Sequence, residues 1–270
     1  MSIGYIEFPD GGGELFGIAS GGRGRSRSGN RELGEWRQQQ RERREFGPER
    51  AEELAAERRE AKAARSAAEC ARRARSRVRR LCRQYGLRYM VTLTFPGQGV
   101  HDYNRALRLV QDFIHDHGEL VHRDRREWLA VPELHPGGHG WHWHILVPCR
   151  FSKEELLALR VGWTECLRRR GMPPSGGATY TRIDVKDWRD SRRAANYAAK
   201  YVGKAFDDDA REKGRKRYLR PRGLDVPVQR GAAASLDEVR AAVEILGAGA
   251  VFESSTDEDW QGPAMVWASW

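Results

Sequence analysis

The middle of this 270-residue chain predicts an α+β fold, an antiparallel sheet with helices on one face. Three observations predict it. Four short runs between residues 89 and 185 are β-rich, and the first alternates apolar and polar residues cleanly. Longer runs between and after them carry apolar or small residues at helical spacing. Glycine and proline mark several of the joins.

Taken in order, Tyr89 to Phe95 is the first strand, with Tyr89, Val91, Leu93 and Phe95 on one face and Met90, Thr92 and Thr94 on the other. Pro96-Gly97 ends it. Residues 102–117 show an apolar stripe of Tyr103, Leu107, Val110, Phe113 and Ile114, the first core helix. Trp128 to Leu134 reads as a second strand, Pro136-Gly137-Gly138 as its turn and Trp141 to Val147 as a third strand. Ser152 followed three residues later by Glu155 is a capping box, opening a helix that runs to Gly171. Tyr180 to Val185 is the fourth strand, and residues 188–206 form the last core helix. The order β-α-β-β-α-β-α is the ferredoxin-like arrangement.

The flanks read differently. Residues 1–33 are rich in Gly, Ser and Arg and are expected to be disordered, because so little apolar surface cannot offset chain entropy. Residues 34–86, dominated by Arg, Glu and Ala, read as a basic helical arm. The core domain then spans 87–222. Residues 223–270 are expected to hold a short helix from Ser235 to about Leu246, an edge strand at Ala250 to Phe252 and a mobile acidic tail.

The net charge of +10 comes with a sequence pI of ≈ 9.7, and arginine outnumbers lysine. That balance favours polyanionic partners, since the guanidinium fork matches phosphate oxygens. Cys70, Cys82, Cys149 and Cys166 are scattered and suit neither a zinc knuckle nor a disulfide frame. No apolar run approaches the ~20 residues that cross a bilayer, and the N-terminus has no signal pattern. The expectation is a cytoplasmic protein with no membrane partner.

Two runs carry the chemistry. In the first, from Glu133 to His144, strand alternation projects His142 and His144 to one side and Trp143 and Ile145 to the other. Two imidazoles so placed can chelate a divalent ion. The adjoining strand offers Glu133 or His135 as a third ligand, with Glu133 preferred because a carboxylate lowers the charge beside a phosphate. His139, in the turn, is a distant third choice. By softness this set suits Zn, Fe, Mn or Ni better than Mg, although Mg²⁺ serves where substrate phosphates complete its shell. In the second run, Tyr197 and Tyr201 stand one helical turn apart on one face, and Lys200 and Lys204 each follow a tyrosine by three. A phenol ionises near pH ~10 and needs a cation or metal to become a good nucleophile. Taken singly, both patterns are common in ordinary packing; together, on a basic chain, they point to chemistry on a nucleic-acid phosphodiester.

The strand Val91-Thr92-Leu93-Thr94-Phe95, the pair His142-Trp143-His144 and the helix Tyr197-Ala198-Ala199-Lys200-Tyr201 resemble the three ordered motifs of HUH endonucleases. Within these the chain is most similar to two-tyrosine rolling-circle replication initiators of small phages and plasmids. Relatives often carry proline or a small apolar residue where Trp143 stands. The resemblance covers about residues 87–222. It implies Mg²⁺ or Mn²⁺ on His142, His144 and Glu133, and attack by Tyr197 or Tyr201 on single-stranded DNA at a replication origin. It further implies a 5′-phosphotyrosine, a free 3′-hydroxyl for a host polymerase, and Lys200 and Lys204 orienting the phosphate. No nucleotide-binding Gly-x-x-x-x-Gly-Lys-Ser/Thr loop is present, so unwinding falls to a host helicase. A transposase or relaxase of the same superfamily is an alternative. So is a non-catalytic RRM-like module, which shares the element order but stacks bases on sheet aromatics. A non-haem iron oxygenase would share the ligand types but requires a jelly-roll barrel.

Overall fold

The computed structural model describes residues 2–18, 28–117, 127–204, 215–246, 252–255 and 265–270. It divides into two compact units. One comprises Cys70–Val226; the other comprises Met1–Glu69 with Pro227–Trp270.

The Cys70–Val226 unit is built on a four-stranded antiparallel sheet of β3 (Tyr89–Leu93), β4 (Leu129–Leu134), β5 (Trp141–Val147) and β6 (Ile183–Asp187), in the spatial order β4-β5-β3-β6. With α3 (Tyr103–Asp116) after β3, α4 (Lys153–Arg168) after β5 and α5 (Ser191–Lys204) after β6, this is the anticipated ferredoxin-like arrangement. Ser152 and Glu155 form the reciprocal capping box that starts α4. On one sheet face Val91, Leu93, Trp143, Ile145 and Val147 pack with Phe113 of α3 and Trp163 of α4. Phe113, Trp143 and Trp163 are fully buried, each worth roughly 1.5–3 kcal/mol by area removed from water.

The helices do not all share that face. The sequence pattern puts them on one side, and α3 and α4 are there. Yet α5 and the end of α2 (Pro48–Gln84) pack against Met90, Leu129, Val131 and Leu146 on the other. The small residues Ala194, Ala195 and Ala198 let α5 lie close to the sheet, so the imidazole face is roofed rather than open.

The other unit holds a five-stranded antiparallel sheet. It contains β1 (Ser2–Glu7), β2 (Gly13–Ile18), β7 (Gln229–Ala232), β8 (Phe252–Ser255) and β9 (Met265–Ser269). Their spatial order is β7-β1-β2-β9-β8. The expectation of disorder over 1–33 is therefore overturned for residues 2–18, while 19–27 lie outside the described residues. The expected mobile tail is likewise corrected, because β9 pairs with β2 in register from Glu14↔Ser269 to Ile18↔Met265. Both errors have one cause: each strand finds partners more than two hundred residues away, which no local pattern reveals. Residues Val239 and Val243 of α6 (Leu236–Leu246) pack with Leu15, Val266 and Ala268. Gly17 permits that approach, since a Cβ there would lie 2.6 Å from Val239. The charged arm is an α-helical hairpin, α1 (Ser28–Phe46) turning at Gly47 (φ 84°) into α2. Arg58 to Glu42 (2.7 Å) and Lys62 to Glu35 (2.9 Å) join the two helices. Among the described residues, no helix is long and apolar enough to cross a membrane.

Candidate active site

The β4–β5 hairpin and α5 bring Glu133, His142, His144, Tyr197 and Tyr201 to the same face of the sheet. Strand pairing sets Glu133 opposite His142, and Val131 and Thr92 on either side of His144. The Glu133 carboxylate nevertheless reaches diagonally, and Oε2 lies 2.8 Å from His144 Nε2. Their side chains are only 13% and 6% exposed, so the contact is largely shielded from water. On the far side of the ring, Thr92 Oγ1 lies 3.0 Å from Nδ1. This contact on Nδ1 steadies the ring, so that Nε2 is the nitrogen presented to Glu133.

The tyrosines close the other side of this cluster. The Tyr201 ring lies 4.8 Å from the His144 ring, and the Tyr197 ring 6.2 Å from it. Tyr201 donates its hydroxyl hydrogen to the Tyr197 oxygen across 2.5 Å. Tyr201 is only 8% exposed, and Tyr197 is half-buried. Burial pushes the Tyr201 phenol well above its ordinary range, and the hydrogen bond to Tyr197 adds to the rise. Lys200 is exposed on the outer side of α5 with Asn196. The Lys204 side chain lies outside the described residues.

The hairpin tip owes its position to close backbone contact. Gly140 has φ 71°, and a Cβ there would meet Val100 at 2.4 Å; a Cβ on Gly99 would strike the His139 carbonyl. The Trp141 N–H donates to the Val100 carbonyl (2.8 Å), and His135 N–H to that of Gly140 (2.9 Å). At the tip, His135 Nδ1 accepts the Gly137 N–H at 3.0 Å. The His135 and His142 rings are 4.8 Å apart. Burial, reinforced by His135 and His144, pulls the His142 pKa down to about 4. His142 is thus a neutral donor at physiological pH.

The donor chemistry of Glu133, His142 and His144 fits a divalent ion: two imidazoles and a carboxylate on one face, with Thr92 hydrogen-bonded behind His144. The geometry is partial. Glu133 and His144 converge on each other, while His142 stacks with His135, and no group of three ligands is gathered among the described residues. His135 is the weaker third ligand, because its Nδ1 is taken by the Gly137 N–H.

Sequence reasoning passes over three neighbours of the site. Thr92 reads as a polar strand position, and only the pairing of β3 with β5 sets it beside His144. Trp188, in the turn after β6, packs on Tyr197 at 4.4 Å between ring centroids. Lys186 holds its ammonium 3.8 Å above the Trp188 ring and 5.5 Å from that of Tyr197. The available signal is parity: Lys186 pairs with Met90, whose side chain is on the face that bears His144.

Residues 88–206 match a family model for replication-associated proteins of the ORF2 type. The matched stretch starts just before β3 and runs through α5, so the whole cluster lies within it. The match supports a replication-initiator role. No curated protein and no solved structure matches the chain.

Proposed function

We propose that this protein nicks and rejoins single-stranded DNA at a replication origin through a covalent tyrosine–5′-phosphate, starting rolling-circle replication of a phage or plasmid. One observation carries the reading. Two phenols within hydrogen-bond reach of each other stand against His144, itself joined to Glu133, on one face of a sheet. A pair that merely filled space would not need an imidazole–carboxylate pair beneath it, and buried polar groups are costly unless paired or used.

In this reading a tyrosine oxygen forms a bond to the scissile phosphorus, and the bond from phosphorus to the 3′-oxygen breaks. The phenol proton is lost to water, and the departing oxygen takes one up from water, leaving a 3′-hydroxyl for a host polymerase to extend. The second tyrosine repeats the attack at the regenerated site, and the free 3′-hydroxyl rejoins the ends. His144 and Glu133, with His142 completing the set, would hold Mg²⁺ or Mn²⁺; the ion would supply Lewis-acid stabilisation of charge on the phosphate oxygens. Thr92 keeps His144 in the orientation that serves either partner. Lys200, and Lys204 beyond it, supply positive charge along α5 for the DNA backbone. Strand separation would come from a host helicase.

The test is incubation with randomised single-stranded oligonucleotides and Mn²⁺, followed by a denaturing gel. A protein–DNA adduct that EDTA prevents and that the Tyr197→Phe/Tyr201→Phe double variant lacks is the expected result. An adduct from the double variant would end the proposal.

A further inference from the structure

The two phenols are not equivalent. Tyr201 lies deeper, over His144, and donates its proton to Tyr197, whereas Tyr197 is half-buried and packs on Trp188. A cation also stands beside it. Lys186 belongs to β6, an edge strand of the sheet, and its ammonium lies over the Trp188 ring within reach of Tyr197. Cation–π contact of this kind restrains a long, otherwise free side chain. Lys186 is exposed, so a polyanion can approach it from solvent.

The Trp188 seat is itself built. Its backbone N–H donates to the Arg88 carbonyl (3.2 Å), and its carbonyl accepts from Asp190 N–H (2.7 Å). The following residue, Arg189, has φ 62°, a left-handed conformation that non-glycine residues seldom adopt. Asp187 steadies it by accepting the Arg189 N–H at 2.9 Å, and Arg88 donates to its carbonyl at 3.2 Å. A tight turn held at this many points keeps Trp188, and Lys186 upon it, beside one tyrosine rather than both.

We propose that Lys186, seated on Trp188, binds a backbone phosphate of the DNA strand next to Tyr197 and so makes Tyr197 the first nucleophile. The inference rests on the nicking reading above and adds a lysine from outside the tyrosine helix. Lys186 forms a charge-assisted contact and exchanges no proton. Losing a hydrogen bond to a charged group of this kind costs ten- to a hundredfold, on the order of the usual range.

Two measurements test it together. In a Tyr201→Phe background, where Tyr197 alone attacks, Lys186→Gln is expected to slow adduct formation at least about tenfold. In a Tyr197→Phe background the same change is expected to alter the rate less than about twofold, and Lys186→Arg is expected to restore most of the loss. Separately, binding to an oligothymidylate without divalent metal is followed against salt. Lys186→Gln should lower the slope of log affinity against log salt by about 0.7, the value for one phosphate contact on a single strand. Trp188→Leu, which keeps the charge but removes its seat, should reproduce the selective loss at Tyr197. Equal losses in both tyrosine backgrounds, or an unchanged salt slope, would overturn the proposal. Should no protein form an adduct, wild type included, the nicking reading fails. The salt slope then still decides whether Lys186 binds phosphate.

Discussion

The two faces of the four-stranded sheet use the same strands for opposite ends. On the face under α3 and α4, Trp143, Ile145, Phe113 and Trp163 interlock with no titratable group among them. On the face under α5, the alternate residues of β3, β4 and β5 include Thr92, Glu133, His142 and His144, with two tyrosines above. A strand's two-residue period makes this division possible, because each chemical residue is anchored by apolar neighbours pointing the other way. Rigidity on the first face therefore supports precision on the second.

Substitutions can break that comparison from either side. The largest expected effect on chemistry is the Tyr197→Phe/Tyr201→Phe double variant, which should abolish the covalent adduct on a denaturing gel. Its denaturation midpoint should change little, since both rings stay. The largest expected effect on stability lies on the opposite face. Trp163→Ala removes a fully buried ring and its hydrogen bond to the Thr94 carbonyl (2.8 Å), and should cost about 3–5 kcal/mol in urea unfolding. The folded fraction of that variant should still bind single-stranded DNA. If Trp163→Ala removed the chemistry at full folding, or the double tyrosine variant unfolded the protein, the division of labour would be wrong.

An intermediate effect separates positioning from packing. Thr92→Val keeps the shape of the side chain but deletes the hydroxyl that holds His144 Nδ1. Adduct formation should fall ~10–100-fold, the range for loss of an outer-shell partner of a ligand. Stability should change by only about 1 kcal/mol, and Thr92→Ser should recover much of the rate. A Thr92→Val protein with full activity would show that the hydrogen bond merely fills a polar vacancy.

The core fold is readable because its signals are local. The alternation in Tyr89–Leu93, the Ser152–Glu155 box and the glycine turn before Trp141 each bear on a few neighbouring residues. The same alternation pairs His142 with His144 on one face and sets them apart from Trp143. What escapes the sequence is set by distant pairing. Thr92 becomes a partner of His144 only through the register of β3 on β5, and Lys186 joins the cluster only through β6. The five-stranded sheet is hidden for the same reason: the Gly-Ser-Arg run after Ile18 dominates the composition, while β7 and β9 lie at the other end of the chain. Helix placement also lies beyond the pattern, because the alanines of α5 fit a close approach to either sheet face.

The smallest expected effect probes the polar face by pH. His142 has a pKa of about 4 in the folded chain, below the ~6.5 of an unfolded imidazole, because burial and neighbouring His135 and His144 disfavour its charge. The folded state therefore binds fewer protons than the unfolded state between these values. Its contribution to stability is complete above about pH 6.5 and is lost as pH falls toward 4. Metal-free protein unfolded in urea should show a midpoint that declines across this window, and His142→Gln should flatten the decline. Trp163→Ala, on the apolar face, should lower the midpoint equally at every pH. A His142→Gln protein that kept the wild-type slope would mean that the imidazole is hydrated enough to protonate without strain, and that the roof formed by α5 does not shield it.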